Sequence, residues 1–148
     1  MSNSNYEMGP IKELVKVLNG GIEFYSAAKE KTSNGNLVRV FERNIQEKAL
    51  AISDLQTFIL IDDGQVETDS ALSVELREAY TKIIALVSSD SDHTYISQLE
   101  EIEDKVLEKV DAALQEMLPA DCKSKLLQIQ VRMQNCHDEM KQLQLMTA

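Results

Sequence analysis

The sequence predicts an all-α fold, a bundle of long helices, and three observations carry that prediction. Apolar residues recur at intervals of three and four over long stretches. No segment alternates at period two for long enough to make a strand. Only 5 Gly and 2 Pro occur in 148 residues, too few for the many turns of a sandwich or barrel. With 43% apolar and 27% charged residues, the chain belongs with globular rather than disordered proteins. Its length suffices for one core without disulfides as staples.

Residues 1–9 are polar and form an expected disordered segment, leaving residues 10–148 as a single bundle domain. Pro10 suits a first helical turn. From there Ile11, Leu14, Val15, Leu18, Ile22 and Tyr25 form one apolar stripe. Gly20-Gly21 interrupts this first helix, at about 1 kcal/mol each against Ala, as expected for a close helix contact or a kink. Ser33-Asn34-Gly35-Asn36 is a turn by composition. Leu37, Phe41, Ile45, Ile52, Leu55 and Ile59 make the stripe of a second helix, which Asp62-Asp63-Gly64 stops. Asp69 or Ser70 can cap a third, with Leu72, Leu76, Ala79, Tyr80, Ile83 and Val87 on one face. The fourth carries Ile96, Leu99, Val106, Leu107, Val110 and Leu114 and ends at Leu118-Pro119. Asp121 can cap the fifth, striped by Cys122, Leu126, Ile129, Met133 and Met140.

Short turns make helices one and two, and helices four and five, antiparallel neighbours. The shorter third helix, flanked by polar linkers, is placed as a crossover. Two long antiparallel hairpins joined by one crossover are the ferritin-like four-helix arrangement. The rival is an up-down bundle with a fifth helix packed outside.

Function is sought where polar residues interrupt the apolar faces. Lys48 stands at the centre of the core face of helix two, three residues after Ile45 and four before Ile52. Glu103 does the same on helix four, and His137 sits between Met133 and Met140 on helix five. Glu23 and Glu100 lie on the flanks of their stripes. Glu23 and Lys48 are nearly equidistant from the Asn34-Gly35 turn, and Glu103 and His137 from Pro119. If the two turns lie at opposite ends, all four converge near mid-bundle within about one helical turn, ~5.4 Å. The expected result is a buried polar cluster in which Lys48 compensates Glu103 or Glu23, with His137 and Glu100 alongside. A di-metal centre is the competing use of such a place. It takes one Glu from each of two helices and a Glu-x-x-His from each of the others. No Glu-x-x-His occurs here: Gln134 precedes His137 by three residues and Asp90 precedes His93. Lys48 adds positive charge where cations would bind. No metal and no cofactor is expected.

The remaining chemistry is mostly excluded. A net charge of −10, from 15 Lys and Arg against 25 Asp and Glu, repels phosphate backbones, so no nucleic-acid partner is expected. The longest unbroken apolar run, Phe58-Ile59-Leu60-Ile61, is far short of the ~20 residues of a membrane helix. No basic or apolar leader opens the chain, and a cytoplasmic location is expected. Cys122 and Cys136 lie fourteen residues apart on one helix, ~21 Å by rise, too far for a disulfide within the chain. They read as buried thiols of a reducing compartment, with an intermolecular bridge or redox sensor as the alternative. Adjacent Cys136 and His137 point ~100° apart and make a poor nucleophilic dyad. The outer face of helix three and the apolar tail Leu143, Leu145, Met146 could serve a homodimer or a protein partner.

Several segments together resemble a bacterial ferritin-like four-helix-bundle family of unknown function. Leu18-Asn19 and Gly21-Ile22-Glu23-Phe24-Tyr25 with Ala27-Ala28 resemble its first helix, and Phe41 through Leu55 with Glu47-Lys48 its second. Glu100 and Glu103, then Leu107, Leu114 and Leu118-Pro119, resemble its glutamate pair and Leu-Pro corner, and His137-Asp138 its last-helix His-Asp. The resemblance spans about Ile11 to Leu143. It implies a cytoplasmic bundle with no established activity, a basic residue at the position of Lys48, and stress-associated company. A His is common three residues after that basic position in the family, and here it is Ala51. The chain is therefore expected to be a non-enzymatic structural or interaction protein with a degenerate metal site. The alternative is a ferritin-like di-iron or di-manganese protein or oxidase.

Overall fold

The computed structural model of the protein describes residues 8–64 and 92–147. Four helices carry them: α1 (Gly9–Lys31), α2 (Gly35–Asp63), α3 (Asp92–Leu114) and α4 (Ala120–Thr147). The last two are the predicted fourth and fifth helices. The predicted third helix lies outside the described residues. No strand occurs among the described residues, so the fold is an all-α four-helix bundle.

Local chemistry sets the ends. Helix α1 begins at Gly9, with Pro10 in its first turn, and Met8 is buried against the core. Met8 and Gly9, expected in the polar N-terminal segment, are thus packed with the bundle, Met8 through its buried thioether. Lys29 and Lys31 in the last turn of α1 suit the negative end of the helix dipole. Asn34 caps α2: its side-chain oxygen accepts from the backbone N–H of Asn36 at 2.9 Å and of Leu37 at 3.3 Å. Gly64 closes α2 in the left-handed region at φ 79°, its N–H donating to the Leu60 carbonyl. That conformation is one glycine adopts without steric cost. Helix α3 already stops at Leu114, ahead of the expected Leu118-Pro119 corner. Asp121 falls inside the first turn of α4 rather than before it, where its charge still favours the positive end of the dipole.

The packing order around the bundle is α2, α1, α3, α4 and back to α2. Side-chain contacts give the directions. Thr32, after α1, donates to Asp92 at the start of α3 at 2.7 Å. Arg132 of α4 meets both Glu47 and Asp54 of α2, and Glu139 meets Arg43. Every neighbouring pair is therefore antiparallel, while α2 and α3 lie diagonally and run the same way. Gly64 and Asp92 stand at opposite ends of the bundle, so the two hairpins are joined by a long connection, and the two short turns face opposite ends as expected. The rival up-down wiring would make α2 and α3 antiparallel neighbours, which they are not.

On α2 and α4 the core faces advance in steps of four and three. On α2 the buried positions are Leu37, Phe41, Asn44, Lys48, Ala51, Leu55 and Ile59, and on α4 they are Cys122, Leu126, Ile129, Met133, Cys136 and Met140. Ile45 and Ile52, expected on the α2 stripe, are only partly buried at its flank. Asn44 and Ala51 take their places, since a 3.5-residue repeat keeps a narrower seam toward the bundle axis than a 3.6-residue stripe. On α1, Gly21 rather than Ile22 faces inward, for a reason that lies with its neighbours.

Candidate functional site

Among the described residues, one ion pair crosses the bundle axis. Lys48 and Glu103 are both completely buried, and Lys48 Nζ lies 2.5 Å from Glu103 Oε2. They come from the diagonal helices α2 and α3, so the pair spans the centre rather than a helix–helix seam. The Tyr25 hydroxyl of α1 donates to the same carboxylate oxygen. Lys48 Nζ also sits 4.8 Å from the Tyr25 ring centroid, within cation–π range. The Tyr25 ring meets Phe41 edge-on at 5.9 Å. Three helices thus contribute to one buried cluster.

Gly21 makes room for it. A Cβ there would stand 3.2 Å from Lys48 Cε and 3.3 Å from Cδ. Helix α1 runs unbroken through Gly20-Gly21, so the close contact, not a kink, is what this glycine serves. The lysine stem fills the space that an ordinary side chain at Gly21 would occupy.

The electrostatics fit a structural cluster better than a reactive one. Burial, and then the Glu103 charge, raises the Tyr25 phenol well above its ordinary 10.0, so it stays a hydrogen-bond donor. Burial pushes the Cys136 thiol from 9.0 to about 11, against the lowering influence of Lys48 and with Glu103 and Glu47 adding to the rise. Burial, then Asp121, pushes Cys122 to about 11 as well. A thiol held neutral is a poor nucleophile. Glu103 Oε1 has no hydrogen-bond partner.

The expected cluster of Glu23, Lys48, Glu100, Glu103 and His137 is therefore divided. Only Lys48 and Glu103 meet at the centre. Glu23 is exposed, because it falls two residues, ~200° around the helix, from both Gly21 and Tyr25 on the inner face. His137 is displaced by its neighbour: steps of three then four from Met133 select Cys136 for the axis, and a thiol is the less costly group to bury. His137 turns to the outer seam between α3 and α4, with its side chain 14% exposed. There its Nε2 lies 2.6 Å from Asp104 Oδ1 and its Nδ1 3.4 Å from Asp138 Oδ1. Glu100 joins this seam group: one ligand atom each from Glu100, Asp104 and His137 lie within 4.8 Å of one another. His93, expected near a helix start, is the second residue of α3 and contacts Thr147 Oγ1 at 3.1 Å.

Sequence reasoning missed four participants. Tyr25 was counted for its ring alone, although a buried Tyr hydroxyl requires a partner. Asp104 lies off the apolar stripe of its helix, and nothing in the sequence marks its contact with His137. Asn44 is buried on α2, where its amide donates to the Val40 carbonyl at 2.8 Å and to Glu139 at 3.0 Å. Arg132 closes the same α2–α4 face by bridging Glu47 and Asp54. Its spacing from those carboxylates emerges only after the helices pair.

A dinuclear centre does not fit the middle of this bundle. Two cations need several anionic oxygen or imidazole donors. Among the described residues the centre offers one carboxylate with an ammonium against it. A family model described as a domain of unknown function (DUF2383) matches residues 8–116. No curated protein and no solved structure matches the chain.

Proposed function

The chain belongs to the family described as a domain of unknown function, DUF2383, and from that membership we propose that it is a non-enzymatic ferritin-like bundle with a structural or interaction role. Its degenerate centre carries an ion pair in place of a metal pair. The observation that supports this reading is the Lys48–Glu103 contact at 2.5 Å with both side chains fully buried. An ammonium at that point neutralises the one inward carboxylate among the described residues, so further cations gain nothing there. The neutral Cys136 thiol and the proton-holding Tyr25 phenol beside it supply no nucleophile or base. The exposed Leu145 and Met146 near the end of α4 are apolar surface of the sort a protein contact would cover.

Ferrous-iron oxidation tests the reading. Chelator-treated protein loaded anaerobically with Fe²⁺ and then exposed to oxygen should consume oxygen no faster than iron alone. Saturable, protein-dependent oxygen uptake that disappears in Glu103→Gln would assign the centre to a di-iron oxidase and overturn the proposal.

A further inference from the structure

We propose that Glu100, Asp104 and His137 form a mononuclear site for a borderline divalent transition ion, zinc being the natural probe, on the outer seam between α3 and α4. The site is separate from the buried Lys48–Glu103 pair and does not depend on the role assigned to the bundle.

The seam is a ladder. Gln144 donates to Ser97 at 3.1 Å and Gln130 to Asp111 at 2.8 Å. The contact of His137 with Asp104 at 2.6 Å lies between them. Successive rungs step by seven residues on each helix, the repeat that keeps two helices in register. The outer rungs each hold two groups, one donor and one acceptor. The middle rung gathers three, because Glu100 also brings a carboxylate oxygen within 4.8 Å of the other two ligand atoms.

A structural rung has no need of that third group. Glu100 and Asp104 are four residues apart on α3, and like charges at this spacing weaken a helix by a few tenths of a kcal/mol. A cation held between them reverses that cost. The donor set, one imidazole nitrogen and two carboxylate oxygens from two helices, matches what zinc and its first-row neighbours take. Around a tetrahedral zinc with ligands at ~2.0–2.1 Å the ligand atoms stand ~3.4 Å apart. A pair 4.8 Å apart must close by about 1.4 Å, and the His137–Asp104 pair at 2.6 Å must open by about 0.8 Å, movements available to the exposed Asp104 and the half-buried Glu100 by side-chain rotation.

The His137 side chain is only 14% exposed, against 59% for Asp104, and is already oriented. Its other ring nitrogen faces Asp138 Oδ1 at 3.4 Å, and Gln134 donates to that same oxygen at 3.0 Å. A carboxylate behind the imidazole is the usual support of a metal-bound histidine, fixing its tautomer and direction.

Calorimetric titration of the chelator-treated full chain with zinc chloride tests this. The expected result is saturation at one ion per chain, with calcium chloride giving no comparable binding. His137→Gln and Asp104→Asn should each weaken zinc binding at least tenfold, and Asp138→Asn by about tenfold. His93→Gln and Cys136→Ser should bind as the parent does. Helical circular dichroism without metal separates lost ligation from lost structure. Should His137→Gln lose helicity, Asp104→Asn, at an exposed position, decides alone. No saturable zinc binding, binding undiminished by the deciding variant, or binding lost in Cys136→Ser overturns the site.

Discussion

Lys48 is the residue whose environment dictates most of its neighbours' identities. Its ammonium needs Glu103, its stem needs the missing Cβ of Gly21, and its partner's oxygen also takes the Tyr25 proton. Lys48→Ala leaves Glu103 buried without its countercharge, and urea unfolding should show a loss of ~3–5 kcal/mol. The double replacement Lys48→Met with Glu103→Gln keeps the volume and removes both charges, so its loss should be clearly smaller. A neutral Lys48→Ala would mean that the pair contributes no net stability. Gly21→Ala brings a helix-propensity gain of about 1 kcal/mol that the 3.2 Å approach to Lys48 Cε opposes. In the parent the substitution should be neutral or destabilising. In a Lys48→Ala background the same change should stabilise by about 1 kcal/mol, and the double-mutant cycle isolates the coupling. Additivity of the two changes would show that the lysine stem does not confine that position. The importance of Lys48 was readable from its place between apolar residues. Which carboxylate it would choose was not, because Glu23 and Glu103 both stood at plausible heights along the chain.

Helix ends and helix faces differ in how well a sequence encodes them. The α1–α2 turn was legible because Asn34 and Gly35 carry local chemistry: a side-chain oxygen that accepts from Asn36 and Leu37 makes the cap without help from elsewhere. Asn34→Ala should cost about 1 kcal/mol, and Asn34→Asp much less, measured by thermal unfolding of the full chain. Equal behaviour of the two variants would remove the cap from the account of α2. Faces were less legible. Period reasoning tolerates an error of one position, so Ile22 stood in for Gly21, Ile45 for Asn44, and His137 for Cys136. In each case the choice was made by the partner helix, which admitted a small residue or a particular hydrogen-bond donor. The seam ladder of α3 and α4 shows the same dependence, since its middle rung unites residues 33 positions apart.

At the scale of the whole molecule, antiparallel neighbours and a parallel diagonal pair follow from two short turns at opposite ends and one long connection. That wiring carries Lys48 and Glu103 to the axis from helices that do not touch through their backbones. It also buries both thiols and the Tyr25 phenol, which has a consequence at high pH. Folding raises Cys122 and Cys136 from 9.0 to about 11 and Tyr25 well above 10.0. Well below pH 9 these groups hold their protons in both states and their contribution is constant. From pH 9 to 11 the unfolded thiols ionise while the folded ones do not, so the unfolded state binds fewer protons and stability falls as pH rises. Tyr25 adds to the fall above pH 10. Urea unfolding at pH 8, 9.5 and 10.5 should show this decline, with a shallower slope between pH 9 and 11 in the Cys122→Ala, Cys136→Ala variant. A slope unchanged by removing both thiols would place the alkaline loss elsewhere. For passage across a membrane, no helix among the described residues is long and apolar enough.

By itself the amino-acid sequence determined the helical class, the four described helices to within a few residues, the two hairpin turns and the presence of polar groups at Lys48 and Glu103 inside apolar faces. These follow from periodicity, capping and composition, which act over a few residues of contiguous chain. Tertiary structure alone decided that Lys48 pairs with Glu103 rather than Glu23, that Tyr25 completes the pair, and that His137 leaves the centre for Glu100 and Asp104 at the seam. The reason is rotational: a helix face is uncertain by a fraction of a turn until a second helix packs on it, and that fraction separates a side chain in the core from one at the surface.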